Sequence, residues 1–326
     1  MQKALARSAF RVMASAKIGL IAGKGDLPAL VIQAAQEQGR EIFVLAIKDN
    51  TDPLILSPTE QGEAARAEGE SKARGNIPPH YKWIEMADIV TTLDIFRAEG
   101  VTEIVMAGGI KRPPLKAFKP SPFTTKLITR IGRSFFGGDD TLLKTIVQIF
   151  EEEGFKIIAA NDLLTDLVAP SGVLTTTAPD ATAEADIACG FQQMKEFGKL
   201  DLGQALIVFN GEVLGKEDAS GTDALITLCS QIAHPTEQGE ARSAGERREP
   251  QEAKPSTYKG LLIKARKMGQ EERVDMPSIG VETIRNLHAH GFAGVAVEAG
   301  GALIIRKAET LALANELGLF VVGYQP

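Results

Sequence analysis

Short apolar runs, several of them closed by glycine, alternate with segments of helical periodicity along this chain, and no other feature limits its fold so tightly. Residues 17–22 (KIGLIA) form one such run, closed by Gly23, and Pro28 opens a periodic segment over 29–38. Residues 41–47 (EIFVLAI) read as the next strand. Residues 87–99 read as a helix with Ile89, Leu93 and Phe96 on one face, and 103–107 as a strand ending at Gly108 and Gly109. A helix over 140–153 stacks Leu143, Ile146, Val147 and Phe150, and a strand over 156–160 follows. Strand, helix, strand in this order predicts a parallel sheet, because a crossover helix returns the chain to the starting end of the sheet.

Pro170-Ser171-Gly172 marks a turn-rich junction, and a second α/β pattern begins beyond it. It has a helix over 181–197, a hairpin of 205–209 and 213–214 around Asn210-Gly211, and a strand over 258–263. A helix over 281–290, strands at 294–298 and 302–305, a helix over 308–317 and a strand at 320–323 complete it. The expected domains are therefore 17–169 and 170–326. Residues 1–16 carry Lys3, Arg7 and Arg11 without an acid and are read as a disordered extension, with Met13 the alternative start.

Two stretches break this pattern. The heptapeptide Pro58-Thr-Glu-Gln-Gly-Glu-Ala64 recurs residue for residue at Pro235–Ala241, and each copy opens a polar, Gly/Glu/Arg-rich segment. Such segments are too hydrophilic to pack, so 57–79 and 234–256 are read as surface insertions outside the functional core. The net charge of −6 and a pI near 5.5 argue against a protein that coats nucleic acid. Two cysteines without ligand spacing argue against a disulfide framework, and no apolar run reaches the roughly 18 residues of a spanning helix.

Five groups of residues can carry chemistry. Gly23-Lys24-Gly25-Asp26-Leu27-Pro28 lies between a strand and a helix, where backbone amides can face a diphosphate, although an ordinary glycine turn fits equally. Pro28 stands where a dinucleotide fingerprint has its third glycine. Residues 111–138 hold seven basic side chains, no acid and four phenylalanines. That composition suits an anionic membrane surface; stacked bases, or aromatics plugged into a core, would give the same pattern. Asp139-Asp140 and Thr222-Asp223 each begin a helical run, where capping is the default role of an acid. Lys264, Lys267, Arg273 and Asp275 cluster in a connection that ends at Pro277, and an acid there suits a magnesium ligand or a base that orients water.

Taken in order, these pieces resemble the LpxI family of UDP-2,3-diacylglucosamine pyrophosphatases, which serve lipid A synthesis in some Gram-negative bacteria. The resemblance runs through the 20–28 turn, Ala107-Gly108-Gly109 with Arg112-Pro113, and Gly138-Asp139-Asp140. It continues through Leu200-Asp201-Leu202-Gly203-Gln204, Gly221-Thr222-Asp223-Ala224, 264–267, 273–280 and 317–321. It implies a Rossmann-like, nucleotide-binding first domain, a distinct C-terminal α/β domain, a substrate site in the cleft between them, and dependence on Mg2+. Asp275 is the position the resemblance assigns to catalysis. Chemistry and placement add Lys264 and Asp223, with Asp275 and Asp223 as metal ligands. Gly23, Gly25, Asp26, Leu27, Pro28, Gly108, Gly109, Arg112, Asp139, Asp140, Thr222 and Lys267 are expected to bind the lipid-bearing UDP-sugar. The expected setting is the cytoplasmic face of the inner membrane, held peripherally by anionic lipid, with no nucleic-acid partner and a homodimer left open. A nicotinamide-dependent oxidoreductase using Asp49 for a ribose, and a non-catalytic lipid or nucleotide carrier, are the rival classes.

Overall fold

The computed structural model describes residues 16–56, 80–86, 88–110, 139–197, 203–218, 220–233, 260–267 and 269–326. They divide between Leu164 and Thr165 into two compact units. The first unit is built on β1 (Ile18–Ala22), β2 (Ile42–Ile47), β3 (His80–Ile84), β4 (Glu103–Ala107) and β5 (Lys156–Ile157), in the order β3-β2-β1-β4-β5 with every pair parallel. β1 and β2 are buried at every position, as a strand covered on both faces must be. Among the described residues its helices are α1 (Leu27–Glu37), α2 (Ile89–Ala98), α3 (Asp139–Glu152) and the short α4 (Ala160–Leu163). A chain of edge-to-face rings ties two of them to the sheet: Phe43 of β2 meets Phe96 of α2 at 6.4 Å, Phe96 meets Phe155 at 6.1 Å, and Phe155 meets Phe150 of α3 at 6.3 Å. Strand order reverses between β1 and β4, and in a doubly wound sheet the carboxyl ends of that pair frame the ligand crevice.

The second unit carries β6 (Gly172–Val173), β7 (Ala205–Phe209), β8 (Glu212–Lys216), β9 (Leu261–Lys264), β11 (Gly294–Glu298) and β13 (Phe320–Tyr324). They form a mixed sheet, β6-β13-β11-β9-β7-β8, whose centre β13-β11-β9 is parallel. Side chains alternate across it. Leu206, Val208, Leu261, Ile263, Ala296 and Phe320 meet Ala183, Ile187, Phe191 and Met194 of α5 (Ala181–Phe197). Ala205, Ile207, Leu262, Val295, Val297 and Val321 meet α6 (Thr222–Ala233), α7 (Val281–Ala289) and α8 (Lys307–Glu316) through Leu225, Ile226, Ile284, Leu287 and Ala314. β10 (Ser278–Ile279) and β12 (Leu303–Ile304) pair separately as a short parallel ladder.

The mixed α/β architecture, with a parallel sheet in the first unit and a second sheet beyond it, is the one the alternating pattern predicts. Three local expectations need correcting. β3 has no counterpart in the sequence reading, because an edge strand exposed at His80, Tyr81, Lys82 and Trp83 lacks the apolar run that marks its neighbours. The strand expected over 156–160 stops at Ile157, since Ala160 already begins α4, whose Asp162 carboxylate accepts the backbone N–H of Ala159 at 3.1 Å. The strand expected over 302–305 shrinks to β12, which leaves the main sheet to pair with β10. Residues 1–15 of the extension, both insertions and the basic run 111–138 lie outside the described residues.

Candidate active site

In the first unit the switch point is closed by glycine. Gly23 leaves β1 and Gly108 leaves β4, and a Cβ on Gly23 would lie 2.5 Å from the carbonyl oxygen of Gly108, so no side chain fits there. Gly108 itself has φ +88°, in the left-handed region that favours glycine. The Gly23 amide donates to the Ala107 carbonyl at 2.7 Å and the Lys24 amide to that of Gly109 at 2.8 Å. Asn50, buried after β2, donates from Nδ2 to the same Gly109 carbonyl at 3.0 Å, and Thr51 donates from Oγ1 to the Ala22 carbonyl at 2.5 Å. The expectation that the amides opening this turn face a diphosphate is thus corrected for Gly23 and Lys24, which knit β1 to the loop after β4. Gly25 and Asp26 stand exposed beyond them, followed by Leu27 and the buried Pro28 in the first turn of α1. Arg112 is outside the described residues, and Asp139 and Asp140 are the first two residues of α3.

In the second unit the sheet gathers polar groups at one edge. Ala205, first in the antiparallel β7, pairs with Lys264, last in β9, while Leu206 pairs with Lys216 at the end of β8. Gln204, Glu217 and Lys264 therefore sit together although 60 residues separate the ends of the set. Alternation places Lys264 on the face of Leu262, toward α6 and α7. Its ammonium donates to the Ser278 carbonyl at 2.9 Å. Burial pulls its pKa below the ordinary lysine value, and the carboxylates of Glu217, Asp223 and Asp275 oppose that pull. Lys264 was read as part of a polar connection; it closes a core strand instead.

The three carboxylates are each held. Asp275 is half-buried and accepts from Gln204 Nε2 at 2.6 Å through Oδ2, and its backbone carbonyl accepts from the buried Gln270 side chain. Asp223 accepts from Asn286 Nδ2 of α7 at 2.8 Å, so its Oδ1 serves a cross-helix contact rather than the expected cap of α6. Glu217 accepts from the Thr222 hydroxyl at 2.5 Å and from the Gln204 amide at 2.8 Å. The basic residues around Asp275 are themselves paired: Arg273 is engaged by Glu271 at 2.7 Å, and Arg266 by Glu298 at 2.6 Å and Glu272 at 2.7 Å. Lys267 instead lines a cavity of about 200 Å³ with Phe191, Met194 and Arg266, next to the α5 face of the sheet.

Glu217 and Gln204 were missed as site residues. Gln204 stood within a motif that carried the family resemblance, but nothing in its own chemistry marked it, and Glu217 reads as one acid in a polar turn. Their signal is positional, since each flanks a strand whose pairing brings it to Lys264. Among the described residues no three Asp, Glu, His or Cys side chains form a group that could hold a metal ion. A pair of carboxylates is what Mg2+ accepts when phosphate oxygens and water complete its octahedron, and the oxygen chemistry of Asp223 and Asp275 is compatible with that.

The fold and this edge define a two-unit α/β protein in which a doubly wound parallel sheet precedes a mixed sheet bearing a lysine among three carboxylates. The model of the LpxI N-terminal domain matches residues 17–167 and that of the LpxI C-terminal domain matches 170–322. The chain belongs to the LpxI family. It is 32% identical over 310 residues to the UDP-2,3-diacylglucosamine pyrophosphatase LpxI of Caulobacter vibrioides (strain ATCC 19089 / CIP 103742 / CB 15), covering 95% of this chain and 98% of that one.

Proposed function

We propose that this protein hydrolyses UDP-2,3-diacylglucosamine to UMP and 2,3-diacylglucosamine 1-phosphate, with Mg2+ as cofactor, as a step of lipid A biosynthesis. The observation that carries the reading is the nearly end-to-end relation to a pyrophosphatase named for that substrate. The Lys264 cluster supplies chemistry that suits it. A diphosphate develops negative charge on its bridging and terminal oxygens as it is cleaved, and a fixed, partly desolvated ammonium is well suited to neutralise that charge. Asp275, oriented by Gln204, is the group we assign to holding the attacking water. Asp223 and Asp275 are the residues that would hold Mg2+, which when bound polarises phosphoryl oxygens.

Uridine recognition is assigned to the turn at Gly23–Pro28 with Gly108 and Gly109, and phosphate chemistry to the second unit, with Thr222 and Lys267 as further substrate contacts. Residues 111–138 are read as the contact with anionic lipid at the cytoplasmic face of the inner membrane. A dinucleotide-dependent oxidoreductase fits less well, because Pro28, in the first turn of α1, stands where the dinucleotide fingerprint has its third glycine. Incubating the purified protein with UDP-2,3-diacylglucosamine and Mg2+ should release UMP, and a chelator should stop the release until Mg2+ is restored. Binding of the substrate without UMP formation would replace this reading with that of a carrier.

A further inference from the structure

Glu217 lies one residue past β8 and holds together the two elements that present the site. Its backbone extends the β7–β8 ladder, the N–H donating to the Ala205 carbonyl at 2.9 Å and the carbonyl accepting from Gly203 at 3.0 Å. Its side chain then bridges outward. One carboxylate oxygen takes the backbone N–H of Gln204 at 2.8 Å, and the other takes the hydroxyl of Thr222 at 2.5 Å. Gln204 is the residue whose side chain holds Asp275 at 2.6 Å, and its carbonyl accepts from Ala265, next to Lys264, at 3.0 Å. Thr222 is the first residue of α6, and the next residue is Asp223. The approach of the two strands here is close: a Cβ on Gly203 would meet the Glu217 carbonyl oxygen at 2.5 Å.

We propose that Glu217 is a positioning residue for the phosphate chemistry, fixing Gln204 and hence Asp275 through one oxygen and the start of α6, with Asp223, through the other. It is not assigned contact with the substrate. The inference rests on the pyrophosphatase reading and adds to it a residue whose role is geometric. Two anchors on one carboxylate transmit any displacement to both acids, and displacement of a reacting group by about 1 Å is enough to lose roughly 100-fold in rate.

The test separates geometry from charge. In Glu217→Gln the amide oxygen can still accept from Gln204, while the Thr222 hydroxyl turns to accept from the new NH2 group, so both anchors survive without the charge. In Glu217→Ala neither survives. With UDP-2,3-diacylglucosamine and Mg2+, E217A should lose on the order of 100-fold in kcat with KM within about threefold, and E217Q should recover to within about fivefold of the parent. Thr222→Val cuts one anchor and, in the proposed function, one substrate contact: losing the anchor should place its kcat between the two, losing the contact should show in KM, and its kcat effect should add little in the E217A background. Circular dichroism and thermal melting check that each variant is folded, and if E217A is not, the T222V and E217Q pair carries the comparison. E217Q as impaired as E217A would make Glu217 an electrostatic partner and overturn the positioning role, as would full activity in E217A or T222V. A parent protein that releases no UMP would sink the underlying reading and this inference with it.

Discussion

The ammonium of Lys264 donates to the backbone carbonyl of Ser278 at 2.9 Å, joining the end of a core strand to the residue after Pro277, three positions beyond Asp275. Burial lowers the pKa of Lys264, and Glu217, Asp223 and Asp275 resist that shift. In the role proposed for Lys264 the protonated form neutralises phosphate charge, so activity should fall as pH rises through the lowered pKa. The alkaline limb of the kcat profile should then lie below the ordinary lysine value of about 10.4. Asp223→Asn, which removes a charge that stabilises the ammonium, should move the limb to lower pH. Lys264→Arg should abolish the limb, because guanidinium stays protonated throughout. A limb unchanged in K264R would assign the titration to another group. Lys264→Ala should cost about 100-fold or more in kcat.

Asp275 is expected to act on the reaction more than on binding. Its Oδ2 is fixed by Gln204, and the loop around it is held by Gln270 and by the Glu271–Arg273 pair. Asp275→Asn should preserve much of this geometry while removing the negative charge that the proposed roles in orienting water and holding Mg2+ require. Turnover should drop by about 100-fold or more, with calorimetric affinity for UDP within about threefold of the parent. Near-parental turnover would remove Asp275 from the chemistry.

The two glycines of the first turn should fail for different reasons. A Cβ on Gly23 would sit 2.5 Å from the Gly108 carbonyl oxygen and 2.7 Å from that of Gly109, both backbone atoms that cannot rotate away. Gly23→Ala should therefore cost about 1–3 kcal/mol of stability to denaturant and displace the loop after β4. Gly25 has open space around it but φ +84°, so Gly25→Ala should cost only the left-handed backbone term of about 1–2 kcal/mol. If G23A is no less stable than G25A, the close approach of the two loops is relieved by a shift elsewhere.

Much of the fold was legible because β1, β2, β4, β9 and β11 are apolar runs with glycine punctuation or polar flanks, and because α5 keeps helical periodicity over its full length. β3 was hidden: its pairing with β2 is set by backbone hydrogen bonds, and its exposed residues carry no apolar signature. Asp275 and Lys264 were visible as chemistry-bearing types, but their relationship was not. Lys264 looked like a loop residue because its neighbours Arg266 and Lys267 are charged, and its place at the end of β9 follows only from the register with β7. Glu217 illustrates the limit most clearly. Nothing in its local sequence separates it from other surface acids, and the contacts on which its proposed role rests appear only when the hairpin turns it back onto Gln204 and Thr222.

If uridine binds at the turn to which the proposed function assigns it, the direction of water attack can be tested. Under that assignment the Lys264 cluster would engage the phosphate that carries the sugar. Water oriented by Asp275 would then add to the β-phosphorus, the bond from that phosphorus to the bridging oxygen would break, and UMP would leave with the bridging oxygen. The new oxygen ends in the acylated sugar 1-phosphate. Turnover in oxygen-18 water should therefore label the lipid product and leave UMP unlabelled, as read by mass spectrometry of both. The control is UMP and lipid product incubated separately with enzyme in the same water, which should gain no label. Label in UMP would mean attack at the α-phosphorus and would require the substrate to lie the other way along the site, with the nucleotide phosphate facing Lys264, even if Asp275 proves essential.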